Sequence, residues 1–143
     1  MTDKIYIKWD DFHQSVKKLC TRIKASGEYD KIIAVSRGGL IPAGIVSYEL
    51  NIRNTQAVNI SSYDNNYDRR EDKDIELNFN AADADEKTLI IDDLADSGRT
   101  FRILRQAYPK AKFVSVYTKE AGKNDVDIYA EKMPDEWIVF PWD

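Results

Sequence analysis

The chain predicts an α/β domain built on a largely parallel, doubly wound sheet, and three observations carry that prediction. Short β-branched runs alternate with segments of helical apolar spacing. Two of the runs lead into short polar loops of the kind found at strand exits, Ser36-Arg37-Gly38-Gly39 and Asp92-Asp93-Leu94-Ala95-Asp96-Ser97-Gly98. No internal repeat or low-complexity linker interrupts the alternation, and 143 residues can bury one adequate core as a single domain, residues 1–143.

The elements follow in order. Phe12, Val16, Leu19 and Ile23 recur at helical spacing, with Asp10 or Asp11 as the N-cap and Gly27 as the stop. His13, the sole histidine, falls on this helix and reads as a structural or surface residue. Lys31–Val35 is a buried-strand run, followed by the Ser36–Gly39 loop. A helix then begins near Pro42, which suits a first turn, and ends near Asn51. Thr55–Ile60 and Thr88–Ile91 are strands, and Phe101–Tyr108 is a helix stopped by Pro109. Phe113–Thr118 and Val126–Tyr129 complete the parallel core.

One stretch fits no packed element. Tyr63–Asn80 lacks an apolar period, and eight of the eleven residues from Asp64 to Asp74 are charged. A solvated loop is the plain reading, yet loops this long inside a compact domain are uncommon and often functional.

Composition excludes several function classes. Lys and Arg number 21 against 25 Asp and Glu, a net charge of −4 with no long basic run, which argues against nucleic-acid binding. Cys20 is the only cysteine, so an intramolecular disulfide and a cysteine-based metal site are both excluded. No apolar run approaches the roughly 18–20 residues of a membrane span. Met1-Thr2-Asp3-Lys4 carries no signal-peptide pattern, so a cytoplasmic protein is expected.

The chemistry concentrates in Thr88–Thr100. An apolar strand ends in two adjacent carboxylates, Asp92 and Asp93, a third follows at Asp96, and Ser97-Gly98-Arg99-Thr100 opens a helix. Ligands of open α/β sheets bind outside the carboxyl ends of strands. Carboxylates there suit a metal or a sugar diol, and the helix N-terminus suits a phosphate. One ligand carrying ribose hydroxyls and a phosphate would use both. The string is neither Gly-x-x-x-x-Gly-Lys-Ser/Thr nor Gly-x-Gly-x-x-Gly. Asp92-Asp93-x-x-Asp96 also matches the metal motif of isoprenoid synthases, but those place it in mid-helix, whereas here a β-branched run precedes it and Gly98 follows. A solvated acidic turn is the bland alternative.

The string resembles the ribose-phosphate signature of the phosphoribosyltransferases. Further segments narrow the resemblance to the bacterial xanthine-guanine type of purine phosphoribosyltransferase. These are Ile32–Pro42 as the pyrophosphate loop, Ile60–Asp64 as the start of a mobile loop, Tyr108-Pro109-Lys110-Ala111, Lys119-x-Ala121-Gly122, and Trp137-Ile138-x-x-Pro141-Trp142-Asp143. The likeness runs from about Lys4 to Asp143.

The resemblance implies a type I phosphoribosyltransferase fold, a mostly parallel sheet flanked by helices, with a mobile lid over about residues 63–80. It implies transfer of the 5-phosphoribosyl group from 5-phosphoribosyl-1-pyrophosphate to a 6-oxopurine (guanine, xanthine or hypoxanthine) with Mg²⁺ as cofactor. Arg37, Gly38, Gly39 and Arg69 would hold the pyrophosphate side of the donor. Asp93 would hold the metal, with Asp92 beside it on the diol. Asp96, Ser97, Gly98, Arg99 and Thr100 would cradle the 5′-phosphate. Asp96 would also face purine N7 as general acid/base, or only orient the ring. Lys119 would donate to the 6-oxo group, Trp137 would stack on the base, and Ile138 and Asp143 would meet the 2-substituent.

Two departures from the pattern stand out: Ser97 replaces a threonine, and Arg99 replaces a glycine or lysine. The family also continues past Pro-Trp-Asp, so an end at Asp143 would add negative charge near the base pocket. A homo-oligomer, dimer or tetramer, is implied. A non-catalytic nucleotide sensor on the same fold is the alternative. Sensors tend to lose groups of the catalytic string, whereas Asp92, Asp93, Asp96, Arg37 and Lys119 are all present.

Overall fold

A computed structural model describes residues 3–61, 76–78 and 84–143. Its strands are β1 (Lys4–Tyr6), β2 (Lys31–Ser36), β3 (Thr55–Ser61), β4 (Glu76–Asn78), β5 (Thr88–Ala95), β6 (Lys112–Thr118), β7 (Ile128–Lys132) and β8 (Trp137–Val139). Its helices are α1 (Trp9–Ser26), α2 (Leu40–Leu50) and α3 (Arg99–Ala107), with a 3-10 turn over Glu120–Asp125.

Among the described residues the main sheet has the order β4-β3-β2-β5-β6-β7, parallel except that β4 runs antiparallel to β3. Residues along its strands alternate between two apolar clusters. Ile32, Ala34, Leu89, Ile91 and Val114 pack with Phe12, Val16, Leu19 and Ile23 of α1 and with Ala43 and Val46 of α2. Ile33, Val35, Ile90 and Phe113 pack with Phe101 and Leu104 of α3. The period of two, apolar on both sides, is what a sheet covered on both faces requires. Each of the larger side chains, valine, leucine, isoleucine or phenylalanine, contributes about 1.5–3 kcal/mol when removed from water.

Several boundaries differ from the sequence expectation, each for a tertiary reason. Helix α1 starts at Trp9, ahead of the predicted Asp10 or Asp11 cap. Its N-cap is Lys8, with no capping side chain, and Asp10 and Asp11 sit in the first turn, where carboxylates complement the helix dipole. Trp9 is held there by ring contacts with Phe12 and Trp142, and the Phe12 N–H donates to the Lys8 carbonyl. At the other end Gly27, with φ 156°, stops the helix as expected.

Strand β5 runs on past Ile91 through both carboxylates to Ala95. Its partner β6 stays in register with Asp92, Leu94 and Ala95 opposite Ser115, Tyr117 and Thr118, and this pairing overrides the poor strand propensity of Asp. Strand β7 lies two residues beyond the expected Val126 start. Asp127 is tied to Phe113 instead, donating its N–H to the Phe113 carbonyl and accepting the Phe113 N–H on Oδ2, each at 2.8 Å. Strands β1 and β8, in-register in a separate parallel pair, went unread because three-residue strands carry too little pattern. Glu76–Asn78 of the expected lid forms β4; the rest of that stretch lies outside the described residues.

Candidate functional site

The chain leaves β2 outward through α2 to β3, and β5 then takes the opposite side of β2. The exits of β2 and β5 therefore flank the switch in strand order, where an open α/β sheet forms its crevice. After β2 comes Arg37, exposed, and then two glycines packed against β5. A Cβ on Gly38 would meet Asp93 Oδ2 at 2.5 Å, and one on Gly39 would meet the Val35 carbonyl oxygen at 2.7 Å. At Gly39 the obstacles are backbone atoms, so only a residue without a side chain fits, whereas a side chain at Gly38 would displace the Asp93 carboxylate. The Gly39 N–H is already donated to the Val35 carbonyl at 2.8 Å, so Gly39 serves the loop by close approach. Arg37, Gly38, Leu40, Ile41, Asp93, Trp142 and Asp143 line one cavity of about 480 Å³.

Asp92 and Asp93 sit side by side at the end of β5, and the Asp93 N–H donates to Asp92 Oδ1 at 2.8 Å. Burial, then the neighbouring Asp93 charge, raises the Asp92 carboxyl well above the ordinary carboxylate range. Burial likewise raises Asp93, with the Asp143 charge adding to the shift. Two carboxylates held together against their own repulsion are a natural seat for positive charge.

Past β5 the chain turns through Asp96 and Ser97 into α3. Gly98 adopts the left-handed region, φ 87° and ψ −2°, as the N-cap and brings no capping side chain. The Arg99 N–H is met by Ser97 Oγ at 3.3 Å. Asp92, Leu94, Ala95, Asp96, Ser97, Gly98, Arg99, Thr100 and Phe101 enclose a cavity of about 90 Å³ against this helix N-terminus. Uncompensated N–H groups and the helix dipole make such a terminus attractive to an anion.

The turn is braced from behind by residues that the sequence did not single out. Arg102 donates to the Ser97 carbonyl at 3.2 Å and to Asp125 Oδ2 at 2.7 Å, and Arg105 donates to the Asp125 carbonyl at 2.9 Å. A Cβ on Gly98 would run into the Asp125 carboxylate, and one on Gly122 would lie 2.6 Å from the Ala95 carbonyl oxygen. The 3-10 turn is thus packed directly onto the end of β5. The sequence separation of 23 between Arg102 and Asp125 hides this pairing from any local pattern.

Lys119, the first residue after β6, is 8% exposed. Its N–H donates to the Ala95 carbonyl at 3.0 Å. Its Nζ lies 3.3 Å from Asp96 Oδ1 and 3.8 Å from Asp135 Oδ1. Lys119 and Asp96 are therefore brought together, and Asp135, which the sequence did not single out, lies beside them. Trp137 and Ile138 are carried on β8 in the separate β1–β8 pair; the Trp137 ring is largely exposed and the Ile138 side chain belongs to the core. Asp143 Oδ2 accepts the Phe140 N–H at 2.8 Å, and its residue lies on the Arg37–Asp93 side. Arg69 lies outside the described residues.

Residues 5–143 match the family model described as the phosphoribosyl transferase domain. The xanthine-guanine phosphoribosyltransferase of Idiomarina loihiensis is 44% identical over 141 residues, 98% of this chain and 87% of that protein. The purine phosphoribosyltransferase structure from Pyrococcus horikoshii superposes with a TM-score of 0.83 at 25% identity, covering 98% of this chain and 94% of that one. The Helicobacter pylori xanthine-guanine-hypoxanthine phosphoribosyltransferase shares the fold, with a TM-score of 0.80 at 22% identity and the same coverage. With the type I arrangement of sheet and helices and strand exits that converge at one crevice, the chain belongs to the phosphoribosyl transferase domain family.

Proposed function

We propose that this protein transfers the 5-phosphoribosyl group from 5-phosphoribosyl-1-pyrophosphate to a 6-oxopurine, guanine, xanthine or hypoxanthine, in purine salvage. The observation that carries the reading is a phosphate-sized cavity at the α3 N-terminus beside the contact of the buried Lys119 with the exposed Asp96. The first suits the 5′-phosphate and the second suits a purine edge, and family membership supplies the reaction that joins them.

The purine nitrogen N9 attacks C1 of the ribose, the C1–oxygen bond breaks, and pyrophosphate leaves with that bonding pair. The transition state resembles an oxocarbenium ion, so the protein's task is to hold the leaving anion and aim a weak nucleophile. Preorganised charge is usually the largest catalytic contribution in such a site. Arg37 and the Gly38 backbone would hold the pyrophosphate, joined by Arg69. Asp96, Ser97, Gly98, Arg99 and Thr100 would hold the 5′-phosphate. Asp96 would accept the proton at purine N7 as the base becomes a nucleoside, and Lys119 would donate to O6. Trp137 would stack on the ring, and Ile138 and Asp143 would meet the 2-substituent.

The residues present fit Mg²⁺. The donor set is oxygen only, and one or two carboxylates plus substrate phosphates are a common magnesium environment. Asp93 would hold the ion with Asp92 on the ribose diol, and the cation would offset the cost that burial places on both carboxylates and that the Asp93 charge adds at Asp92. Bound there, Mg²⁺ supplies charge neutralisation of the pyrophosphate.

The test is direct. Purified protein with donor, Mg²⁺ and each purine in turn should form nucleotide from guanine, xanthine or hypoxanthine and very little from adenine. Nucleotide binding without turnover would favour the sensor reading, and equal use of adenine would overturn the assignment of Lys119. We further propose one domain over residues 1–143 with a lid at about 63–80, a homo-oligomer (dimer or tetramer) in solution, and a cytoplasmic location. Among the described residues no helix is long and apolar enough to cross a membrane. Tyr6, Leu40 and Tyr48 are large, apolar and exposed, which supports self-association, and light scattering would read the mass.

A further inference from the structure

Ser115 stands in the middle of β6, fully buried, and its Oγ has no hydrogen-bond partner among the described residues. A hydroxyl taken out of water and left unpaired is costly, so such a group calls for an explanation. The register of the sheet offers one. Ser115 lies directly opposite Asp92 of β5, in the parallel pair that also sets Phe113 opposite Ile90. Ile90 and Phe113 belong to the apolar cluster on the α3 face, and side chains two residues further along each strand return to that face. Asp92 and Ser115 therefore project side by side toward α3. Asp92 also lines the cavity at the α3 N-terminus, which Ser115 does not reach.

Neighbouring strands run about 4.7–4.9 Å apart, and an O–H···O bond spans about 2.5–3.0 Å. Rotations about the side-chain bonds of the two residues cover that difference. The acceptor has room, since an ionised carboxylate offers about four lone-pair sites and the Asp93 N–H occupies one, at Asp92 Oδ1. We infer that Ser115 is a positioning residue for the proposed reaction: its hydroxyl donates to the Asp92 carboxylate and aims the remaining lone pairs at the ribose hydroxyls. The inference deepens the proposed function and rests on the placement of Asp92 on the ribose diol. Ser115 itself touches no ligand. Its effect is to fix a carboxylate before the sugar arrives, so that less freedom is lost on binding.

The experiment measures, by calorimetry, affinity for guanosine 5′-monophosphate, which carries the diol, and for its 2′,3′-dideoxy analogue, which lacks it. Wild type should bind the ribonucleotide more tightly. Ser115→Ala removes the hydroxyl and keeps the small volume, so packing is little disturbed. It should weaken ribonucleotide binding about threefold to tenfold, the range of one ordinary hydrogen bond, and leave the analogue within about twofold. In an Asp92→Ala background the same change should add nothing, because its acceptor is gone. Unchanged affinity for the ribonucleotide, an equal loss on both nucleotides, or a full further loss in the Asp92→Ala background would each overturn the inference. Wild-type protein that binds neither nucleotide would overturn the proposed function itself, so the two failures are distinct.

Discussion

Asp92 and Asp93 share a strand end that would be more stable with one charge fewer. Burial raises the Asp92 carboxyl above its ordinary 3.8, and the charge of Asp93 adds to that. A group whose folded pKa lies above its unfolded value contributes most below the unfolded pKa, and that contribution is lost as pH rises through the folded one. Asp92 therefore costs stability at neutral pH. Asp92→Asn keeps an oxygen for the Asp93 N–H and removes the charge. In chelator-treated protein, Asp92→Asn should melt above wild type at pH 7.5, and the gap should close toward pH 4. A gap of the same size at both pH values would show that the charge is not the cause. Asp93→Asn addresses function at the same scale: turnover should fall about 10²–10³-fold, the size of losing one preorganised electrostatic contact. Steady-state kinetics across a Mg²⁺ titration would read it, and unaltered rate and Mg²⁺ dependence would remove Asp93 from the metal's side. Asp96→Asn separates two roles, since loss of a general acid or base costs about 10²–10⁴-fold in rate. A change confined to the purine KM would leave Asp96 with the orienting role.

Between β5 and α3 the backbone itself is the device. Gly98 takes a φ of 87° with the Asp125 carboxylate where a Cβ would go, and Arg102 ties that carboxylate to the Ser97 carbonyl. Gly98→Ala should destabilise the fold by about 1–3 kcal/mol from left-handed strain. It should also raise the KM for the phosphoribosyl donor more than that for the purine, because Gly98 lines the proposed phosphate cavity and Lys119 does not. Equal shifts in both constants would contradict that division. The glycine was legible as a turn residue in the Ser-Gly-Arg-Thr string. Its brace was not, because Asp125 and Arg102 are joined only when the 3-10 turn packs against the end of β5. The same limit explains Asp10 and Asp11. Their acidic character announced a helix start, but the ring contacts of Trp9 with Phe12 and Trp142 moved the cap two or three residues earlier, to Lys8.

At the scale of the molecule, the site is held by two apolar layers on either face of one sheet. Phe113 is fully buried, packs edge-on to Phe101 at 5.2 Å, and carries the Arg105 guanidinium 4.2 Å above its ring. Phe113→Ala should cost about 3–5 kcal/mol, the usual range for emptying an aromatic site. Domains of this kind hold about 5–15 kcal/mol in all, so urea unfolding should reveal a markedly weakened protein. A loss below about 1 kcal/mol would mean that the α3 face collapses onto the gap. By itself the sequence determined the class of fold, since alternating periods of two and 3.6 are local properties of the chain. It also determined the carboxylate string, the glycine loop and the lysine, because each is a short motif at a strand exit. Only the tertiary structure decided that the exits of β2 and β5 adjoin, that Asp125 braces the turn into α3, and that Asp135 joins Asp96 at Lys119. Those pairings cross long stretches of sequence, and a contact of that kind exists only after the sheet has ordered its strands.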